Sequence, residues 1–178
     1  MGLIDDLGPG PVGLDTAVFI YFVEEHAEFL PIVEPLFVGL DRGRWSAVTS
    51  GVTLLETLVV PYRAGDITLA ERYEALLSRS RGLRLVDIDR PLLRAAAHLR
   101  ASVSVKTPDA IQLAAVLGAG CSAFITNDRD LPLIPGLRIL QLRSYLKVRR
   151  PPPSLTPSRT KSAIAFQARL RRPSRRRP

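Results

Sequence analysis

The sequence predicts an α/β fold in which a central, mainly parallel sheet is covered by helices on both faces, giving a three-layer α/β/α architecture. Short apolar strand patterns alternate along the chain with amphipathic helical patterns, which is the order typical of βα units. The 178 residues are 46% hydrophobic, enough to bury one sizeable core but not two. We therefore expect one compact α/β domain.

The predicted strands are short runs rich in apolar and β-branched residues, at 12–14, 45–49, 83–88, 123–126 and 138–142. The segments between them place apolar residues three or four positions apart, which predicts helices at 16–25, 27–42, 52–63, 68–80, 91–101 and 108–117. For the last helix we expect Thr107 as the N-cap and Pro108 in the first turn.

Four carboxylates lie at or near the edges of hydrophobic runs: Asp15, Glu56, Asp109 and Asp128. A carboxylate in apolar surroundings is costly unless something compensates its charge, and a metal ion is the strongest compensation available. Asp15 and Asp128 follow predicted strands, and ligand sites of parallel sheets form beyond the carboxyl ends of the strands. If the four side chains converge, they form an acidic metal site suited to phosphodiester hydrolysis.

Each acid also has a purely structural explanation. Asp15 and Asp128 can be N-caps alone, and Asp109 is favoured by the helix dipole in a first turn. Glu56 lies within a helix beside Val52, so capping does not account for it, although an exposed position or a buried salt bridge does. Asp130 is a fifth candidate, as a peripheral or water-mediated ligand.

Basic charge is concentrated at the C-terminal end. Of the 25 Lys and Arg residues, ten fall within residues 149–178, which contain no acid, leaving 15 basic against 17 acidic side chains before them. We predict a folded domain at 11–147 and a disordered tail at 148–178 that is rich in proline and arginine. As a functional alternative, this tail is an electrostatic tether to RNA.

Cysteine usage and hydropathy limit the setting of the protein. A single cysteine, Cys121, excludes a disulfide framework within one chain. The longest uncharged stretch, 110–127, is shorter than the roughly 20 apolar residues that a membrane span needs, and the first ten residues do not resemble a secretory leader. We expect a soluble, cytoplasmic protein with no membrane partner.

Two stretches of the sequence resemble the PIN domain family and, more narrowly, VapC-type toxin ribonucleases of bacterial toxin–antitoxin pairs. They are VTSGVTLLETLVVPYRAGD at 48–66 and KTPDAIQLAAVLGAGCSAFITNDRDL at 106–131, within a resemblance that spans residues 11–145. The sequence departs from the usual pattern of the family in two places. Residues 2–10 precede the first strand, and the tail continues beyond the point where members of the family usually end.

This resemblance implies a PIN-like fold and an acidic quartet of Asp15, Glu56, Asp109 and Asp128. The quartet would hold Mg²⁺ or Mn²⁺, hard cations that prefer oxygen ligands. We expect Asp15 and Asp109 to be direct or near-direct metal ligands, Glu56 to orient a metal-bound water, and Asp128 to complete the shell or hold a second ion. Three residues would support the site, with Thr16 orienting Asp15 and two others shaping the neighbouring loop: Thr126 and Asn127.

The function implied by the resemblance is metal-dependent cleavage of RNA that leaves 5′-phosphate and 3′-hydroxyl ends. A cognate antitoxin and a homodimer are also implied, and we expect the antitoxin to bind the apolar faces of the helices at 16–25 and 27–42. Two alternatives remain open from the residues alone. One is a housekeeping RNA-processing nuclease of the same fold, and the other is a non-catalytic RNA-binding module.

Overall fold

The computed structural model of the protein describes residues 2–146, so the predicted tail at 148–178 lies outside the described residues. Five strands form one sheet in the order β3-β2-β1-β4-β5, and each neighbouring pair is parallel. The strands are β1 (Val12–Leu14), β2 (Ala47–Ser50), β3 (Leu83–Val86), β4 (Ala123–Thr126) and β5 (Arg138–Gln141). The predicted α/β class and its parallel sheet are confirmed.

Six α-helices accompany the sheet within residues 2–146, at the six predicted places. They are α1 (Thr16–Val23), α2 (Leu30–Asp41), α3 (Gly51–Ala64), α4 (Ile67–Arg79), α5 (Arg90–Ser102) and α6 (Thr107–Gly118). Two short 3₁₀ helices, Leu3–Asp6 and Leu142–Tyr145, were not predicted, because a single turn carries too little periodicity to recognise.

Some predicted helix ends are wrong. Helix α1 ends at Val23 rather than at residue 25, since Glu25 adopts a left-handed backbone with φ of 56°. Helix α2 begins three residues later than predicted, at Leu30. Thr107 is not the N-cap of α6: Lys106 occupies that position with an extended backbone, and no side chain caps this helix end. Pro108 lies in the first turn, as predicted.

The two faces of the sheet pack against different helices. Alternate residues of the central strands, such as Leu14 and Ile125, enter a core shared with α1, α2 and α4. Phe124 points to the opposite face, where it packs against α6. A Cβ atom on Gly13 would lie 2.6 Å from Val116 of α6, so only glycine allows this helix to approach β1 so closely. The predicted three-layer arrangement is confirmed.

Aromatic rings fix α1 against α2. Phe37 of α2 stacks on Phe22 at a ring-centroid distance of 4.0 Å and meets Phe19 edge-on at 5.7 Å. All three side chains are almost completely buried, and such paired rings contribute beyond their buried area. This packing anchors α1, whose first residues lie at the carboxyl end of the sheet. Among residues 2–146, no helix has the length and apolar character needed to cross a membrane.

Candidate active site

The parallel topology brings the carboxyl ends of β1 and β4 side by side. The backbone N–H of Asp15, which follows β1, donates to the carbonyl of Ile125 in β4 at 3.0 Å. The Asp15 carboxylate accepts two further bonds, one from the Thr16 N–H at 2.7 Å and one from the Thr126 hydroxyl at 2.5 Å. Asp15 is thus the N-cap of α1, and its second oxygen is held by the end of the neighbouring strand.

The surroundings of the Asp15 side chain disfavour the ionised form of its carboxyl group. Burial raises the pKa of its carboxyl from 3.8 to about 6, although the hydrogen bonds from Thr126 and Thr16 act in the opposite direction. Repulsion from the carboxylates of Glu56 and Asp109 raises the pKa further. The side chain is therefore a half-buried acid under like-charge repulsion, a situation that a bound cation relieves.

Glu56 lies on α3 and faces the same end of the sheet. Its Oε2 accepts a hydrogen bond from the Thr16 hydroxyl at 2.5 Å, so Thr16 contacts Asp15 through its N–H and Glu56 through its side chain. The expected apolar surroundings of Glu56 are wrong, because its side chain is exposed and so is the neighbouring Leu55. The alternative prediction, that Glu56 lies at an exposed position, is therefore the correct one.

Asp109 occupies the first turn of α6, where the positive end of the helix dipole favours its charge. Burial raises the pKa of Asp109, and repulsion from Asp128 and Glu56 adds to the rise, whereas the ammonium of Lys106 lowers it. Together with the repulsion at Asp15, these interactions connect Asp109 to all three of the other acids.

Asp128 is half-buried in the loop that follows β4. Residues 127–133 form an irregular segment rather than a helix, so the N-cap alternative for Asp128 is wrong. Its N–H donates to the Thr126 hydroxyl at 2.9 Å, and its Oδ1 accepts from the N–H of Asp130 at 2.8 Å. Thr126 therefore contacts Asp15 and Asp128 at once, while Asp130 is exposed at the periphery.

Two amide side chains that flank Asp128 bring acceptor oxygens to this loop. Asn127 donates through Nδ2 to the Tyr21 hydroxyl at 2.9 Å, and Gln141 donates through Nε2 to the Asp128 carbonyl at 2.5 Å. Within residues 2–146, Asn127 Oδ1 and Gln141 Oε1 are buried without a hydrogen-bond donor. Such atoms need a water or a cation as a partner. Sequence reasoning missed Tyr21 and Gln141, whose sequence contexts resemble ordinary packing positions.

The side-chain atoms that could bind a metal at this edge of the sheet are all oxygens, the ligand type that Mg²⁺ and Mn²⁺ prefer. The described part of the chain contains no compact group of three or more Asp, Glu, His or Cys side chains that could hold a metal by itself. Mg²⁺ usually binds through one or two carboxylates and keeps several waters. The residues therefore fit a hydrated cation held by few carboxylates, rather than a closed cage of protein ligands.

A layer of buried polar side chains lies beneath the acids, and sequence reasoning missed it. Its members are Thr49, Ser50, Thr53 and Gln112, each at most 4% exposed. Two signals were available in the sequence: Gln112 is the one polar side chain after Asp109 in α6, and Thr49 and Thr53 are spaced four residues apart. Neither signal identifies the partners of these groups, because they come from different elements.

The comparisons with known proteins agree with this architecture. The family model of the PIN domain matches residues 12–137, which is more than two thirds of the chain. The chain belongs to the PIN domain family. No curated protein matches the sequence at a significant level.

Several solved structures share the fold of this PIN domain. VapBC2 from Rickettsia felis, bound to a promoter DNA fragment, matches with a TM-score of 0.57 and 14% identity over 74% of this chain and 98% of that chain. VapC20 of Mycobacterium tuberculosis, a toxin that cleaves the sarcin-ricin loop, matches with a TM-score of 0.55 and 17% identity over 67% and 91%. A toxin–antitoxin complex from Klebsiella pneumoniae matches with a TM-score of 0.52 and 22% identity over 71% and 94%. At these identities the likeness shows the fold alone.

Proposed function

We propose that this PIN domain is a Mg²⁺- or Mn²⁺-dependent endoribonuclease and the toxin of a toxin–antitoxin pair. The observation that carries the proposal is that Asp109 experiences electrostatic repulsion with each of the other three carboxylates, which come from separate segments at the carboxyl edge of a PIN-type sheet. The RNA substrate is supported by the fold shared with VapC20, a toxin that cleaves the sarcin-ricin loop. We expect the protein to act in the cytoplasm, where such a substrate is found.

The roles of the four acids follow from their surroundings. Asp15 and Asp109, whose charges are disfavoured by burial and by repulsion, would hold the cation directly. Glu56 is exposed and held by the Thr16 hydroxyl, so it can orient a water at the open side of the site. Asp128 would complete the shell, with Thr126 keeping its loop against Asp15. When bound, the cation supplies a water of lowered pKa and neutralises the charge that develops at phosphorus.

Substitution of the acids tests the proposed chemistry. Asp15→Asn and Asp109→Asn should each abolish Mg²⁺-dependent cleavage of RNA while the far-ultraviolet circular dichroism stays unchanged. Asp87→Asn is the matched control, because Asp87 also follows a parallel strand but is exposed beside the edge strand β3. Cleavage that persists in EDTA in both site variants would contradict the nuclease mechanism. Binding of RNA by the wild type without metal-dependent cleavage would favour the RNA-binding module.

An antitoxin is the partner that the toxin–antitoxin neighbours support. A groove of about 580 Å³ runs between α2 and the two 3₁₀ helices and offers a mainly apolar surface, lined in part by Leu3, Ile4, Ala27, Pro31, Ile32 and Pro35. We expect an apolar antitoxin segment to bind there. Helix α1 contributes less than the sequence led us to expect, because Val18, Phe19, Phe22 and Val23 are buried in the core.

Co-expression with the small gene adjacent to this one tests the partner. The product of that gene should co-purify with the toxin and relieve the growth inhibition that the toxin causes. Pro35→Glu in the groove should weaken the complex, whereas the same charge at Leu133, which is 91% exposed elsewhere on the chain, should leave it intact. A housekeeping nuclease would neither inhibit growth nor require this product.

A homodimer is the remaining part of the proposal. Leu55 and Tyr62 are 65% and 54% exposed, and their spacing of seven residues places them on one side of α3. Exposed apolar side chains grouped on one helix are typical of an interface, and a second copy of the chain would cover them. Leu55→Lys should then convert the dimer to a monomer in sedimentation velocity experiments. A wild type that sediments as a monomer at all concentrations would contradict this part.

A further inference from the structure

The side-chain amide of Gln112 connects the acid-bearing segments from below. Gln112 lies on α6 one turn after Asp109 and is 4% exposed. Its Oε1 accepts from the N–H of Ser50 at 3.1 Å and from the Ser50 hydroxyl, while its Nε2 lies 3.0 Å from the carbonyl of Leu14. Leu14 immediately precedes Asp15, so the end of strand β1 is tied to α6 directly beneath the acids.

The orientation of this amide follows from its neighbours. A backbone N–H can only donate, so the atom that faces Ser50 must be the oxygen. A backbone carbonyl can only accept, so the atom that faces Leu14 must be the nitrogen. One hydrogen of Nε2 is then used by Leu14, and the other is directed toward the two threonine hydroxyls within 2.9 Å, those of Thr49 and Thr53.

Counting protons gives the threonine hydroxyls one direction in which the hydrogen bonds lead to Glu56. An ionised Glu56 can only accept, so Thr16 uses its single hydroxyl proton there. The Thr53 hydroxyl lies 3.2 Å from Thr16 and 2.7 Å from Thr49, and a chain that reaches Glu56 has Thr53 donating to Thr16 and Thr49 donating to Thr53. The Thr49 proton also has a second acceptor, the carbonyl of Leu14 at 2.9 Å. The second hydrogen of Gln112 enters this series at Thr49 and Thr53, whose hydroxyls are both 2.9 Å from Nε2. The result is a one-way chain of donors that runs Gln112, Thr49, Thr53, Thr16, Glu56.

We propose that this chain is a positioning relay, in which Gln112 and Thr53 act through Thr16 to hold the Glu56 carboxylate in one orientation toward the site. The inference rests on the proposed nuclease function. Successive hydrogen bonds in one direction polarise each other, which strengthens the last bond to the carboxylate. Glu56 is exposed, so its own packing does not select one rotamer, and the relay supplies the missing restraint.

A purely structural role explains this arrangement less well than the positioning relay does. Apolar side chains of the same shape would fill the interior between β2, α3 and α6 without needing exact partners. The hydrogen bonds of the polar groups instead lead, through Thr53 and Thr16, to Glu56, the one exposed acid of the quartet. Fixing the direction of a catalytic carboxylate before substrate binds is a recognised contribution to rate, because the reacting groups need no rearrangement.

Thr53 offers a sharp test because a matched control lies one turn away on the same helix. Thr53→Val removes the relay hydroxyl at nearly constant volume, and Thr53→Ser restores it. Thr57→Val makes the same change at another buried position, whose hydroxyl donates only to the α3 carbonyls of Thr53 and Leu54. Thr53→Val should lower kcat by about 10- to 100-fold, as expected for outer-shell partners of metal-site carboxylates, with KM for RNA little changed. Thr53→Ser should recover most of the rate, and Thr57→Val should retain it.

A double-mutant cycle separates positioning from general destabilisation. If Thr53 acts through Glu56, Thr53→Val should cause no further loss in a Glu56→Gln background. Independent losses that multiply would overturn the relay, and so would equal losses in Thr53→Val and Thr57→Val.

The carbon-13 signal of the Glu56 carboxyl, measured without metal or RNA, distinguishes failure of the relay from failure of the proposed function. This signal should shift in Thr53→Val and stay unchanged in Thr57→Val. A wild type that does not cleave RNA but shows this pattern overturns the nuclease and supports the relay as a restraint on Glu56. An unchanged signal in Thr53→Val overturns the relay whatever the activity.

Discussion

Two buried regions lie next to α1, and they differ in the kind of side chain that fills them. Between α1 and α2 the interior consists of rings such as Phe19, Phe22 and Phe37, which need only shape and apolar contact. Beneath the acids it consists of hydroxyls and the Gln112 amide, each of which needs a partner of the right type. An aromatic interior therefore stabilises the domain through shape and apolar contact alone, whereas a polar interior also requires a matching donor or acceptor for each buried group.

Asp15 and Glu56 repeat this contrast within the quartet itself. Asp15 is half-buried, accepts two hydrogen bonds and has its pKa raised to about 6. Glu56 is exposed and is held by the Thr16 hydroxyl at the end of the relay. Removing charge at the two positions should therefore have different consequences for stability, even where both removals impair catalysis.

The largest effect on stability is expected in the aromatic region. Phe37→Ala should lower the free energy of unfolding by about 3–5 kcal/mol, because it leaves a cavity between α1, α2 and the sheet. Urea denaturation followed by circular dichroism measures this change. Leu133→Ala is the control, since Leu133 is 91% exposed and its truncation should have little effect. Comparable losses at both positions would show that the aromatic region is not the stabilising one.

A smaller effect of opposite sign is expected at Asp15. The pKa of this acid is raised from 3.8 to about 6 in the folded state, so its ionisation destabilises the fold progressively as the pH rises from about 4 to 6. In EDTA at pH 7.5, Asp15→Asn should raise the free energy of unfolding by on the order of 1–3 kcal/mol. The advantage over the wild type should shrink as the pH falls and be lost near pH 4.

Glu56→Gln is the matched control for this prediction. Glu56 is exposed, so at pH 7.5 the substitution should change the free energy of unfolding by no more than about 0.5 kcal/mol. The two variants would be compared by thermal unfolding in EDTA between pH 4 and 8. An Asp15→Asn protein that is less stable than the wild type at pH 7.5 would contradict the view that this carboxylate strains the metal-free fold.

The smallest effect is expected from removal of the C-terminal residues. Truncation after Lys147 should leave the metal-dependent rate on a short, saturating RNA nearly unchanged, because the acids and the relay all lie before it. If the ten basic residues of the tail contact phosphates, the truncated protein should also bind RNA more weakly and with a flatter dependence on salt. Loss of folding on truncation would show that the predicted domain boundary at 147 is misplaced.

The architecture and the residues worth testing were predictable from the sequence. Apolar runs that alternate with helical patterns predicted the parallel sheet and its six α-helices, because those periodicities depend only on local chain geometry. The positions of Asp15 and Asp128 after strands predicted which edge of the sheet carries them, since parallel strands end on the same side. The metal-binding roles of the quartet remain predictions that the substitutions above test.

How those residues are held depends on tertiary contacts that the sequence did not predict. It placed Glu56 in solvent and excluded the capping role of Asp128, because burial and loop conformation depend on what packs around a segment. It also joined Gln112 to Ser50 and Leu14, which lie 62 and 98 residues away along the chain. A hydrogen bond is specific to distance and direction, and no local pattern of residues records which distant donor will meet which acceptor once the sheet has formed.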